Sequence, residues 1–168
     1  MSFSKSYPVQ SISLDEEDVF NLAVSHEVAS TIALNVAQQV GWDNVPIAWW
    51  QVYDGTESRI SAYLAELDRV AIWLVQVGIQ LVALKNSGIV RSIFPYPGAV
   101  PMGDVDVLVR KRDFRQAHAI LLANGYYFEF RSELEEEDLD EAEQGGGAEY
   151  WKLLPNGESC GLNCNGGR

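Results

Sequence analysis

After Gly78 the apolar residues of this chain stop recurring every three or four positions and come instead in short β-branched runs. That change of period divides the sequence into a helical half and a strand-bearing half. In the first half, Ser13-Leu14-Asp15-Glu16 has the form of a capping box, in which the Ser13 hydroxyl and the Glu16 carboxylate satisfy amides of the first turn. Val19, Leu22, Ala23, His26, Ala29, Ala33, Val36, Ala37 and Val40 then follow at helical spacing until Gly41 ends the run. Residues 42–54, with Pro46 and two adjacent tryptophans, read as a connection. A second helix is expected over Thr56–Val77, with Ile60, Tyr63, Leu64, Leu67, Ala71, Leu74 and Val75 as its apolar face.

Beyond Gly78 the expected order is a buried strand at Ile79–Lys85, a short helix at Asn86–Phe94, and a stiff loop through Pro95, Pro97, Gly98 and Pro101. A strand Asp104–Val109 follows, then a helix Asp113–Ala123 with Phe114, Ala117, Ile120 and Leu121 on one face. Strands are expected at Tyr126–Phe130 and Glu149–Leu154. Between them the acid-dense stretch Glu133–Glu143 reads as a solvated, mobile loop, or as a docking surface for a basic partner. The fold class is therefore α+β: a helical N-terminal layer over residues 1–78, then a small mixed β-sheet flanked by helices over 79–168.

Acids outnumber bases 24 to 12, for a formal charge of −12. Such a surface repels phosphate backbones, so no long nucleic acid is expected as a partner. No apolar stretch reaches the roughly 18 residues of a membrane span, and the polar start is unlike a secretory signal, so the expected setting is cytoplasmic and away from membranes. Cys160 and Cys164 have no histidine near enough to complete a zinc site. His26 and His118 sit among apolar neighbours on helices and read as packing or surface residues. Neither a Ser/His/Asp set nor a Walker-type loop is present.

Asp104 and Asp106 are the informative pair, read either as an ordinary polar strand face or as a cation-holding pair. Residues two apart on a strand face the same way, about 6.5–7 Å apart at Cα. The two carboxylates then project together while Val105, Val107 and Val109 face the core. Like charges so placed repel, and a divalent cation resolves the conflict; magnesium suits carboxylate oxygens combined with substrate phosphate.

These residues sit in a longer pattern: Leu84-Lys85-Asn86-Ser87, then Tyr96-Pro97, then Pro101-Met102-Gly103-Asp104-Val105-Asp106-Val107-Leu108-Val109, then Asn124-Gly125-Tyr126. In that pattern the chain resembles the uncharacterised nucleotidyltransferase-like family of the polymerase-β superfamily, over about Ile79–Leu154. The resemblance implies a polymerase-β nucleotidyltransferase-like fold and transfer of a nucleoside monophosphate from a nucleoside triphosphate (NTP) to a hydroxyl acceptor, whether small molecule, protein or RNA. It implies Mg2+ (or Mn2+) held by Asp104 and Asp106 as the catalytic pair. Lys85, Asn86, Ser87 and Gly103 would bind the nucleotide, with phosphate near the start of the helix that follows Lys85. Arg110, Lys111 and Arg112 could help hold phosphate, or form a solvated turn.

Three positions depart from the pattern. Asn86 replaces the usual glycine, and asparagine tolerates unusual dihedrals. Val100 stands where an arginine is common. The third carboxylate, normally on a later strand, would fall at Asn163, and an amide cannot act as a base. Glu129 is a substitute candidate. The glycine-rich segment Cys160–Arg168 occupies the place of a core strand. With permitted codons a shifted frame there reads Trp-Phe-Glu-Leu-Gln-Trp-Arg-Pro, so the expectation is an out-of-frame, C-terminally truncated core. The competing reading is a truncated or degenerate nucleotidyltransferase fold that acts as a binding or scaffold module without turnover.

Overall fold

The computed structural model describes residues 16–94, 96–129, 135–145 and 147–167. Ser13 to Asp15 of the expected capping box, Pro95 of the stiff loop and Phe130 of the expected strand lie outside them.

The helical half contains α1 (Glu16–Ser25), α2 (Ala29–Val40) and α3 (Ile47–Gln76). The single first helix expected from periodicity is broken at His26–Val28, where Glu27 takes a φ of 57°. The break lets α2 turn back on α1 and bury Ala23, Ala29, Ala33 and Leu34 together with Trp49 and Tyr53 of α3. Leu22 and Val36, assigned to the apolar stripe, are exposed, because the stripe of one straight helix is not the stripe of two bent ones. The expected connection at 42–54 is also shorter than its aromatic content suggested. Helix α3 begins at Ile47, directly after Pro46, whose fixed φ suits a helix entry. Gly41, at φ 82°, ends α2 as expected.

Helix α3 spans both halves. Its first turns pack on α2, while Ile60, Tyr63, Leu64, Leu67, Val70 and Leu74 join the core under the sheet. Val75 lies outside that face and is exposed. One charge is carried into this core. Glu66 is 1% exposed and accepts hydrogen bonds from Lys152 at 2.9 Å, Arg69 at 2.6 Å and the Tyr126 hydroxyl at 3.1 Å. Burial alone would push its carboxyl up, but the hydrogen bonds from Lys152 and Arg69 outweigh that and hold it below its ordinary value.

The sheet contains β1 (Leu81–Ala83), β2 (Asp104–Arg110), β3 (Tyr127–Glu129), β4 (Gly147–Leu153) and β5 (Ser159–Gly167), in the order β1-β2-β5-β4-β3. Only β2 and β5 run parallel; the other pairs are antiparallel. Strand alternation gives the sheet two unlike faces. Val105, Val107, Val109, Tyr150, Cys160, Leu162 and Cys164 are buried on one, against α3 and α5 (Phe114–Ala123). The other carries Asp104, Asp106, Asn163 and Glu149, and exposed Val82, Tyr127 and Leu153. The glycine-rich segment that looked unfit for a core strand is thus a central strand. Its Cys160, Leu162 and Cys164 alternate with Gly161, Asn163 and Asn165, a period of two in unusually small residues.

The acid-dense stretch is a helix, α6 (Glu135–Gly145), and not the expected loop. Leu139 and Ala142, three apart, are buried on one side of it. Glu136, Asp140 and Glu143 close around the Arg115 guanidinium of α5, which concentrates one cation among several carboxylates that would otherwise repel. Acids in its first turn also match the helix dipole. The two histidines behave as packing and surface residues: His26 is exposed, and His118 is buried with its Nδ1 3.0 Å from the Tyr150 hydroxyl. Among the described residues no helix is long and apolar enough to cross a membrane.

Candidate active site

The head of β2 meets two other elements. Strand β1 leads through Leu84 into α4 (Lys85–Ser92), and β5 lies alongside β2 with Gly161 opposite Asp104 and Asn163 opposite Asp106. The turn from β1 into α4 is tight. Leu84 donates its amide to the Asp106 carbonyl at 2.9 Å, Lys85 adopts a φ of 48°, and a Cβ added to Gly88 would lie 2.8 Å from the Ala83 carbonyl oxygen. Glycine at 88 is therefore what lets α4 fold back so close to β1. The unusual backbone dihedral falls on Lys85 and not on Asn86, the residue in the family's glycine position.

Both aspartates lie on the same, open face of the sheet, as the alternation required. Asp106 is 5% exposed and Asp104 is half-buried. Lys85 Nζ donates to Asp106 Oδ1 at 2.8 Å, from a side chain that is itself 70% exposed. That hydrogen bond, and then the Asp106 charge, raise the lysine pKa above its ordinary value. The Asn163 amide donates to Asp104 Oδ2 and, at 3.5 Å, to Asp106 Oδ1. The repulsion between the carboxylates is thus met by one mobile cation on one flank and one neutral donor on the other.

Ser87 is fully buried. Its hydroxyl donates to Met102 Sδ at 3.4 Å and accepts the Asp106 amide at 3.1 Å, so it braces α4 against β2 and does not face solvent. Asn86 Nδ2 donates to the Pro101 carbonyl at 3.3 Å. Gly103 is exposed, with open space around the position of a Cβ. Lys85, Ser87, Asp104, Asp106 and Asn163 are therefore brought together, with Asn86 and Gly103 beside them.

Other candidates are not. Glu129 lies on the edge strand β3, three strands from β2, or about 14 Å at ordinary strand spacing. Its carboxylate accepts the Trp151 indole N–H, so it does not replace the third acid. Arg110 to Arg112 stand at the opposite end of β2, and Arg110 pairs with Gln80. Sequence reading missed Glu149, which lies opposite Asn163 in the row that runs across the sheet from Asp106. Only the strand register could reveal it.

Residues 13–150 match the family described as "Uncharacterised nucleotidyltransferase", and the chain belongs to that family. The match extends through the N-terminal helices, beyond the region where the motif pattern alone is evident. A comparison with curated proteins returns no match. Among solved structures, Cid1 in complex with the UTP analog UMPNPP is similar at 17% identity and a TM-score of 0.40, over 69% of this chain and 34% of that one. The Cid1 poly(U) polymerase crystal structure is similar at 15% identity and a TM-score of 0.40, over 84% and 37%. The chain thus spans about a third of the length of those relatives.

Proposed function

We propose that the chain is a metal-dependent nucleotidyltransferase that moves a nucleoside monophosphate from an NTP to a hydroxyl acceptor. The observation that carries this reading is the convergence of Asp104 and Asp106 on the open face of the sheet, beside the start of α4. Family membership of the chain supports the same reaction class.

The donor set fits one magnesium or manganese ion. Two carboxylates come from alternate residues of one strand, and the Asn163 amide oxygen is available if that side chain turns over. When bound, such an ion would draw phosphate oxygens to the pair and offset the charge that develops in phosphoryl transfer. Lys85 donates to Asp106, and its exposed ammonium would be the cation of the site that meets the triphosphate. Amides in the first turn of α4 face the same phosphates, with the helix dipole in their favour. Ser87 positions the site by fixing the Asp106 amide. The acceptor oxygen bonds to the α-phosphorus, the α–β bridging bond breaks, and pyrophosphate leaves with the electron pair. The hydroxyl proton passes to water, because Asn163 offers no basic atom.

A second reading is favoured by one observation: an amide occupies the β5 position opposite Asp106 and donates to both carboxylates. In this reading the domain binds a nucleotide but does not turn it over. One titration series separates the readings. Calorimetry with ATP, GTP, CTP and UTP, with and without magnesium, is compared between the native chain and the D104A/D106A double variant. Metal-dependent binding lost in the double variant supports the site, and pyrophosphate release then marks the enzyme. Equal behaviour of the two proteins removes the site.

A further inference from the structure

We infer that the cavity between α2, α3 and the Pro101–Gly103 segment seats the acceptor, and that it takes a small hydroxyl-bearing molecule whose carboxylate or phosphate is held by Arg59. The inference rests on the nucleotidyltransferase reading. The cavity measures about 440 Å3 and is lined by Val52, Thr56, Arg59, Tyr63, Met102 and Gly103, among others. That volume suits one small molecule.

Two observations on Arg59 point to an anionic ligand. Arg59 Nε is buried and has no hydrogen-bond partner. A buried donor left unmatched is costly, so a guanidinium placed this way is explained by something that it binds. Among the described residues Arg59 is also the one basic residue of the lining, and Glu27, the acid of that lining, is exposed. Beside it stand Val52 and Met102 with Thr56 and Tyr63, whose hydroxyls already donate to the Val52 and Ser159 carbonyls at 2.8 Å each, so the guanidinium is left as the polar anchor of a largely carbon-lined wall.

The cavity lies next to the aspartates without sharing the phosphate side of the site. Gly103 lines it and is bonded directly to Asp104. Tyr63, on its wall, donates to the carbonyl of Ser159, two residues before Gly161, which lies opposite Asp104. By contrast Asn86 and Ser87, at the start of α4, touch Pro101 and Met102 and do not line the cavity. The Pro101–Gly103 segment therefore stands between the expected place of the triphosphate and the cavity. A ligand anchored at Arg59 with a hydroxyl toward Gly103 would bring that hydroxyl beside the residue bonded to Asp104.

The test uses the full chain and two probes, glycerol 3-phosphate and 3-hydroxybutyrate, observed through the Arg59 Nε–H and Gly103 amide resonances. Saturable shifts of both signals with at least one probe are expected, with and without ATP and magnesium. Affinity should fall tenfold or more in Arg59→Met, while magnesium-dependent ATP binding persists. Absence of saturation with both probes overturns the inference, as does displacement of a bound probe by ATP, which would give the cavity to the nucleotide. Because the shifts are read on the unaltered chain, instability of Arg59→Met leaves the test decisive. ATP binding without probe binding sinks this inference alone. Probe binding without magnesium-dependent binding of ATP, GTP, CTP or UTP leaves an anion site and removes the nucleotidyltransferase reading.

Discussion

Asn163 stands directly opposite Asp106 across the parallel β2–β5 pair, and its side-chain amide reaches 3.5 Å from Asp106 Oδ1 while also donating to Asp104. In the proposed site one neutral side chain thus occupies the position assigned to a third acid. It ties the first two together instead.

This position sets the first prediction. Asn163→Asp replaces the shared donor with a third negative charge. Without divalent metal the variant should be less stable than the native chain by about 1–3 kcal/mol, the usual penalty when a buried polar group loses its partner. With magnesium that order should reverse, and metal affinity should rise at least tenfold. Thermal unfolding with and without magnesium measures the first effect and calorimetry the second; a variant indifferent to magnesium contradicts the assignment of the site.

Lys85 gives a different signature. Its ammonium is largely solvated but its partner Asp106 is buried, so Lys85→Met should lower the unfolding midpoint modestly without divalent metal, and magnesium should restore it. If the ammonium turns to the triphosphate, NTP affinity should fall tenfold or more, and the loss should shrink at high salt. Parallel binding curves at two ionic strengths decide the matter. Unchanged affinity would confine Lys85 to its ion pair with Asp106.

Gly88→Ala places a methyl group 2.8 Å from a backbone carbonyl oxygen that cannot swing away. The helix must shift, at a cost of about 1–3 kcal/mol for an overpacked site. Because Ser87 braces the Asp106 amide, the shift should also weaken metal-dependent nucleotide binding. Denaturant unfolding and calorimetry on the same variant test the coupling, and a stable variant that keeps full binding argues against it.

His118 supplies the pH prediction. Burial lowers its pKa below the ordinary value near 6.5, against the weaker pull of Glu135 and Glu136. A depressed folded-state value means that the unfolded chain binds the extra proton first. Its contribution to stability is therefore complete above about pH 6.5 and is lost as pH falls from there through the folded value. Stability measured from pH 7.5 down to 5 should decline more steeply in the native chain than in His118→Gln. Parallel curves for the two would rule out this histidine as the source.

Much of this was legible in the residues alone. Period-two spacing put Asp104 and Asp106 on one face, and the structure holds them there. Phe114, Ala117 and Leu121 form the buried face of α5 as their spacing implied. What was hidden depends on distant partners. Nothing local in Glu135–Gly145 announces that Arg115 will gather its charges, so the segment looked like a loop. The break at Glu27 is imposed by packing of Ala29 and Ala33 on Trp49 and Tyr53, which no window of α1 and α2 contains. Strand β5 was obscured because its inward residues include two cysteines and its outward ones are glycine and asparagine. Nothing in the sequence singles out Arg59; only the cavity that the fold builds beside it does.

The parallel β2–β5 pairing also dictates when the site can mature. Asp106 and Asn163 lie 57 positions apart in sequence, and closing a loop of that length carries an entropic cost before any ladder bond offsets it. During refolding the helices can assemble from near neighbours, whereas the carboxylate pair acquires its fixed geometry only once β5 inserts between β2 and β4. Recovery of metal-dependent binding should accordingly lag behind recovery of helical signal.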